Sequence, residues 1–584
     1  MRSKNIFFSS LVALVALALV VAAFLPYELL KSLADSTMSD GNFESLREGN
    51  AFIFKILLGA SGVLFFSVAY SILAGRLKNI RGWLDRYIAD LTGFVKSLKS
   101  TKIMATSLVA LLFIIGLASI TRLAHVYDGM RHDESYTFVV FSSTSLFNIL
   151  TNYHLPNNHV LNSLLVFLST HLFGIQPWAV RLPALIAGVL LIPATYAVAN
   201  AIYDKYTALM SALLLSILPG AVLYSTNGRG YSLVALFTLL TLWLAIYLSQ
   251  NKNWFAWSLL VLFSALGFYS VPVMLFPFGM VFAWLLFENL SIPPPGVYGS
   301  KVNFLKYWSL AGISTAALVL TLYTPIFIYN GLGKVFANEW VRPEGWSGYI
   351  ASIPGHLLDL WHEWTGGLAS IWVALLLVGF GLSLVFHRRI TRQRFPLQIA
   401  TFLWLATLII VQRPERISKI WAFLQAPFVI WGVAGFMGLL KNLRLKFARD
   451  IPVAAIVTGI VLFITASGVI RMAPTIPRHW EQKGAVELSV LAVKDQLRPQ
   501  DLVIIDAPYD AAFWYYSRLY GIADSHFNRR LPFERLFVVA SRSDEQTIQS
   551  VLQARGPDLA QVNLEEAHLL LNYQNLDIYI VPHR

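Results

Sequence analysis

The chain contains no cysteine, and only 13% of its 584 residues carry a formal charge. The first absence rules out disulfides, thiolate metal sites and a cysteine nucleophile, so any part facing an oxidising compartment is held by packing alone. The second is incompatible with an ordinary water-soluble domain, which carries about a quarter charged residues. The C-terminal stretch lacks a glycine-rich nucleotide loop, and no internal repeat of the kind that marks many transporters is found. What the chain has instead is 56% hydrophobic residues, a mean hydropathy of +0.60 and 17 tryptophans, 24 tyrosines and 39 phenylalanines. Aromatic rings with a polar tip collect at membrane surfaces. The expectation is a polytopic α-helical membrane protein. Its net charge of +13 is read as basic cytoplasmic loops, with no nucleic-acid partner.

Thirteen apolar runs are long enough to cross a bilayer, centred in 6–26, 51–74, 102–124, 180–200, 206–225, 231–249, 253–269, 271–288, 306–329, 366–386, 396–411, 418–439 and 451–471. A further stretch, 159–173, is short and carries Asn162, Ser163, Ser169, Thr170 and His171, which predicts a helix lying at the membrane surface. With the N-terminus inside, that choice puts the basic loops 76–102, 387–394 and 441–449 in the cytoplasm. The loops 125–178 and 330–365 and everything after Arg471 then face outward. The first run, preceded by Arg2 and Lys4, is expected to be a retained signal anchor, and the basic amphipathic stretch 76–102 is expected to lie on the inner leaflet.

After Arg471 the pattern changes. Short β-branched runs at 501–506, 535–541 and 576–581 alternate with helical patterns near 484–497 and 544–554, which predicts a small extracytoplasmic α/β domain. Three parts follow: a two-span N-terminal extension with its basic segment over 1–101, a transmembrane core over 102–471 and the α/β domain over 472–584.

Ionisable groups at a membrane boundary are costly and usually functional. Asp133 and Glu134 stand side by side in the first outer loop, which also holds His132, His154, Asn158 and His159; later outer loops hold Arg229 and Tyr231, then Arg413, Arg416 and Lys419. The last group opposes the positive-inside bias, and a lipid phosphate at headgroup depth would compensate it. A carboxylate beside cations suits sugar transfer from a polyprenyl phosphate to a hydroxyl. Such a reaction needs a base for the acceptor proton and cations for the charge growing on the leaving phosphate.

Five segments carry a family resemblance: HDESYTFVVF, NYHLPNNHVLNSLL, FGIQPWAVRLPALIAGVLLIP, YSTNGRGYSL and RPERISKIWAFLQAP. Together they resemble the bacterial C-type (GT-C) membrane glycosyltransferases related to protein O-mannosyltransferases and the lipid A aminoarabinose transferase. The resemblance implies a GT-C membrane fold over roughly 102–471, a polyprenyl-phosphate-linked sugar donor in the bacterial cytoplasmic membrane, a glycan, lipid or protein acceptor, inversion at the anomeric carbon, and no metal or other cofactor. It also implies Asp133 and Glu134 as the catalytic pair. His159 takes the place of a phosphate-facing cation, although the loop reads Asn158-His159-Val160 where the family often has His-Pro-Pro or Lys-Pro-Pro. Arg229 and Tyr231 match an Arg-x-Tyr motif, and Arg413 and Arg416 match late-loop donor contacts. His154, Asn158, Lys419 and Trp340 are candidate acceptor or donor contacts.

Blander readings stand beside these. Asp133 would make a good helix N-cap, Arg181 a snorkelling anchor at a span end, and the tryptophans 340, 346, 361 and 364 an aromatic belt rather than a lid over the acceptor. A zinc site from His132, His154 and His159 lacks ligand spacing. A transporter or flippase of lipid-linked glycans is the alternative function, and it calls for broken helices and polar groups at mid-membrane.

Overall fold

The computed structural model describes residues 2–37, 48–74, 80–100, 104–293, 295–336, 343–365, 370–414, 418–447, 484–529 and 531–584. Twelve of the thirteen apolar runs fall on helices, and the run 451–471 lies outside the described residues. Among the described residues seven helices are long and apolar enough to cross a membrane, and a bent pair, Lys205–Ile217 and Pro219–Ser225, makes an eighth candidate. The pair turns by 63° at Leu218, whose backbone is extended because the ring of Pro219 disfavours helix before it and supplies no N–H. The remaining runs fall on shorter apolar helices, Ser9–Ala23, Trp254–Ser270, Ile371–Val385 and Leu397–Gln412.

At the centre runs Tyr231–Gln250, apolar all round and buried along almost its whole length between Pro177–Ile202, Trp254–Ser270 and Leu275–Ser291. Its buried Thr238, Thr241 and Ser249 bond to the carbonyls of Val234, Phe237 and Ile246, so no polar group is stranded there by those hydroxyls. The N-terminal helices Arg2–Ala23 and Glu48–Leu73 pack on each other, with Ser9 bonded to the carbonyl of Ala69 at 2.8 Å. Helix Ile80–Ser100 docks through Phe94, which meets Trp243, Tyr247 and Phe255, and through Asp90, whose carboxylate accepts the N–H of Trp254 at 2.6 Å. Its Trp83, Leu84 and Ile88 remain exposed.

The helix over 159–173 is present as Val160–Phe173; of its five polar residues His171 is exposed and the other four face the protein. Asn162, Ser163, Ser169 and Thr170 are buried against the protein, while Leu168, Leu172 and Phe173 are exposed. Ser169 donates to the carbonyl of Ala179 at 2.7 Å, which explains the inversion: these groups have protein partners rather than water.

Residues 484–584 form an α/β unit. Its four strands are β1 (Asp501–Ile505), β2 (Arg535–Ser541), β3 (His568–Tyr573) and β4 (Leu576–Pro582), in the order β1-β2-β4-β3. β1 runs parallel to β2, with Leu502 opposite Leu536, and β4 antiparallel to β2, with Phe537 opposite Ile580. One face packs Val503, Phe537 and Ile578 under Ala485–Gln496 and Asp510–Leu519; the other packs Leu502, Leu536 and Val538 under Val551 and Leu552 of Ile548–Arg555. The first core continues without interruption into Met130, Phe138, Val139 and Val180 of the membrane part. Neither β3 nor the Asp510–Leu519 helix was expected from the sequence pattern.

The helices Ser370–Val385 and Gln425–Phe447 touch backbone to backbone. A Cβ on Gly435 would lie 1.8 Å from the carbonyl oxygen of Gly379. Small residues at such a crossing let helices approach in a membrane, where no hydrophobic force drives them together. Gly435→Leu is expected to part the pair and lower thermal stability in detergent by about 1–3 kcal/mol or more. Gly381→Leu, with open space around it, should melt like wild type, and equal melting of the two variants would contradict the contact.

Candidate active site

Asp133 stands on a single helical turn, His132–Tyr136, that runs into a π-helical turn over Thr137–Ser142. The N-cap position is Arg131, and its N–H is taken by Glu134 Oε1 at 3.0 Å. Asp133 therefore does not cap the turn, and its carboxylate is available for other work. It is 34% exposed, whereas its neighbour Glu134 is fully buried.

Glu134 faces inward onto Arg181 of helix Pro177–Ile202. The guanidinium donates to both carboxylate oxygens, at 2.5 and 3.0 Å, and the N–H of Gly228 donates at 2.7 Å. Arg181 spends its other donors on the carbonyls of Val126, Asp128 and Gly129. Arg181 is thus no snorkelling anchor: it is wholly buried and paired. Burial pushes the Glu134 carboxyl up, but Arg181 and the N–H of Gly228 outweigh it and hold the group below the usual carboxylate range. Glu134, expected in the catalytic pair, has every oxygen committed inside the protein. The pair is split between an inward residue that holds the loop and an outward one that faces solvent.

Around Asp133 the structure gathers positive charge. Lys419, on the short 3-10 helix Ser418–Leu424, bonds to Asp133 Oδ2; Arg229 Nη2 stands 3.9 Å from the same oxygen; His132 Nδ1 lies 3.6 Å from Oδ1. Burial raises the Asp133 carboxyl, yet His132, Arg229 and Lys419 together hold it far below the ordinary range. Arg229 itself is 2% exposed and donates to Thr137 Oγ1 at 2.8 Å and to the carbonyls of Asp133 and Asn157. It braces the turn that carries Asp133, and its guanidinium lies over the Tyr231 ring, 5.9 Å from the ring centre.

His159 was expected to supply a cation and does not. It is 1% exposed, its Nδ1 accepts the N–H of Gly230 at 2.9 Å, and burial together with Arg229 and Lys419 holds its pKa well below the usual value. The ring is a neutral acceptor that packs edge-on to Tyr231. Asn158 is buried and saturated, donating to the carbonyls of Ile149 and Asn152 and accepting from Ser163, so it organises the loop rather than reaching a ligand. His154 bonds to the Tyr136 hydroxyl at 2.8 Å and to Asn152, one turn from Asp133. Arg413 takes a left-handed backbone at the end of Leu397–Gln412; its Nε donates to the carbonyl of Glu344 at 2.6 Å and its guanidinium covers Trp346. Arg416 and Trp340 lie outside the described residues. Among the described residues no three histidine or acidic side chains gather as a metal site.

Several participants were missed. Glu363, on helix Trp346–Thr365, accepts from Tyr224 and Ser418 and seats that helix beside Lys419. The same helix lays Trp364 on Phe428, so its tryptophans include packed residues as well as exposed ones. Asp510, from the C-terminal unit, meets His132 Nε2 at 3.1 Å. No spacing in the sequence signals a contact between residues so far apart.

The class is a multi-pass helical membrane protein with a charged, solvent-reachable site where loops at span ends meet. Residues 160–305 match the family described as dolichyl-phosphate-mannose-protein mannosyltransferase. Among curated proteins none matches the chain. ArnT from Cupriavidus metallidurans bound to undecaprenyl phosphate superposes with a TM-score of 0.53 at 12% identity, over 82% of this chain and 98% of that one. The apo form of the same protein gives 0.51 at 14% identity, over 80% and 97%. The chain therefore has the GT-C membrane glycosyltransferase fold in the form shared with ArnT.

The buried pair and the open carboxylate respond differently to loss of charge. Glu134→Gln strands the Arg181 guanidinium in the interior, at a cost of about 3–5 kcal/mol, and should depress yield and melting temperature severely. Asp133→Asn should fold like wild type, since the carboxylate is partly exposed and two of its three cationic neighbours, Lys419 and His132, reach solvent. Equal stability of the two variants in detergent would contradict this division.

Proposed function

We propose that the protein transfers a sugar from a polyprenyl-phosphate-linked donor to a hydroxyl acceptor at the outer face of a bacterial cytoplasmic membrane. The observation that carries the reading is Asp133, a partly exposed carboxylate held among Lys419, Arg229 and His132 at the end of the spans. The fold likeness supports it, as does the undecaprenyl phosphate bound to the similar ArnT.

In the reaction the acceptor oxygen forms a bond to the anomeric carbon while the bond from that carbon to the phosphate oxygen breaks. The electron pair leaves with the polyprenyl phosphate, and the hydroxyl proton passes to the Asp133 carboxylate. One displacement inverts the configuration. A carboxylate salt-bridged to lysine is a weak base, because the cation stabilises its ionised form. The donor phosphate competes for the same ammonium. As Lys419 turns to the phosphate, Asp133 regains basicity at the moment when charge grows on the leaving oxygen. Arg229 stays with Thr137 and Asn157 and keeps Asp133 aimed. Arg413, which now rests on the carbonyl of Glu344 and over Trp346, is the further cation this reading offers the donor from the later outer loop, with Lys419 completing the set. The sites expected of His154 and Tyr231 become second contacts: His154 fixes Tyr136, and Tyr231 packs beneath His159 and Arg229.

Two experiments test the proposal. Asp133→Asn should slow release of polyprenyl phosphate by about 10²–10⁴ at unchanged folding, and near-normal turnover would remove the base. Lys419→Met should weaken donor binding and, by taking a cation from Asp133, raise that carboxyl's pKa and shift the acid limb of kcat/KM upward in pH; a limb displaced downward, or unmoved with normal donor KM, would contradict the exchange. Membrane sidedness is checked by labels: one at Arg389 should report the cytoplasm and one at Gln574 the outside.

A further inference from the structure

We propose that Asp510, on the C-terminal unit, is a positioning residue for Asp133 and acts through His132. The C-terminal unit thereby completes the site instead of merely standing beside it.

The contact is built, not incidental. Helix Asp510–Leu519 clamps the whole segment that carries Asp133. At one end Asp510 Oδ1 meets His132 Nε2 at 3.1 Å; in the middle the Tyr516 hydroxyl accepts the N–H of Met130 at 3.0 Å; at the other end Arg518 donates to Ser143 Oγ at 2.7 Å and to the carbonyl of Val139. Tyr515 donates to the carbonyl of Ile175 at 2.6 Å, tying the same helix to the loop before Pro177–Ile202. Phe513, Tyr515 and Tyr516 share one core with Met130, Phe138 and Val139. The His132 ring thus stands between two carboxylates, Nε2 3.1 Å from Asp510 and Nδ1 3.6 Å from Asp133, and is stacked along Tyr136.

A histidine between two carboxylates is kept protonated, because each stabilises the imidazolium. Here the hydrogen bonds and charges of Asp133 and Asp510 outweigh partial burial and raise His132 to about 9. The other charges facing this chain of groups are Lys419 and Arg229 on the far side of Asp133, and Arg555, itself bonded to Asp506, on the far side of Asp510. When Lys419 turns to a phosphate, as in the exchange above, the imidazolium joins Arg229 in keeping Asp133 oriented. The sign follows from the raised pKa: the bridge is complete below the ordinary histidine range and is lost as the pH rises through about 9.

The kinetic half of this inference rests on the sugar-transfer reading, while the titration half does not. The test follows hydrogen exchange at the His132 ring carbon by mass spectrometry across pH in the full-length protein in detergent, for wild type, Asp510→Asn and Asp510→Glu, with Asp510→Ser as a second removal if the asparagine variant folds poorly. Asp510→Asn should lower the His132 midpoint by one pH unit or more, and the alkaline limb of kcat should fall with it while donor KM holds; Asp510→Glu should restore both. An unmoved His132 midpoint in the asparagine and serine variants overturns the bridge. A moved midpoint with an alkaline limb that stays in place overturns the positioning role. A wild type without transfer counts against the sugar-transfer reading, and the midpoint still decides whether Asp510 holds His132.

Discussion

The buried pair of Glu134 and Arg181 is the constraint on which the site depends. Removing two charges from water is expensive, and the cost is offset only when every remaining lone pair and proton finds a partner. Here they do: Glu134 takes two N–H donors besides the guanidinium, and Arg181 satisfies three carbonyls of the loop 126–129. One interaction thereby joins the first outer loop, the start of helix Pro177–Ile202 and the turn at Gly228. A Cβ at Gly228 would come within 3.0 Å of Val180 and 3.4 Å of the Glu134 carboxylate, so the turn approaches as closely as a glycine permits. Asp133 precedes Glu134 and Arg229 follows Gly228, so the inward pair sets both members of the outward one.

The outward charges are organised differently. Asp133 is surrounded by three potential cations of unlike character: a lysine on a flexible stem, an arginine fixed by neutral partners, and a histidine made cationic by two carboxylates. The lysine is the one able to exchange partners, since an ammonium is a point charge on a flexible chain while the two terminal nitrogens of the buried Arg229 are bonded to Thr137, Asn157 and the Asp133 carbonyl. His159, in contrast, is neutral because it is buried, and its service to the site is a single hydrogen bond to Gly230. A site that handles an anion here separates holding from exchanging.

Much of this architecture was legible in the sequence. Apolar runs found the helices because membrane solvent leaves only length and hydropathy to satisfy, and β-branched runs found β1, β2 and β4 for similar reasons. Asp133, Arg229 and Lys419 were legible as charges placed where charge is costly. The errors share one cause: a residue's type does not say which way it points. Glu134 and Asp133 are adjacent and chemically alike, yet one turn of helix sends one inside and one out. The sequence likewise does not say that Asn162, Ser163, Ser169 and Thr170 of Val160–Phe173 turn toward the protein while His171 turns away. Asp510 and Glu363 were invisible because only the folded chain brings them near partners distant in sequence, His132 for the first and Tyr224 and Ser418 for the second. The Asp510–Leu519 helix, written DAAFWYYSRL, hides its role in an aromatic run whose rings are the contact.

The core and the C-terminal unit are thus one structure around Asp133, with helix Asp510–Leu519 gripping from above what Glu134 and Arg181 anchor from below. The central claim is that a lipid phosphate takes Lys419 from Asp133 while this frame stays still. A structure of the wild-type protein with undecaprenyl phosphate added tests it directly. The account predicts phosphate density against the Lys419 ammonium, an Asp133 carboxylate freed from it and an unchanged Glu134–Arg181 pair; phosphate bound elsewhere with the Lys419–Asp133 contact intact would contradict it.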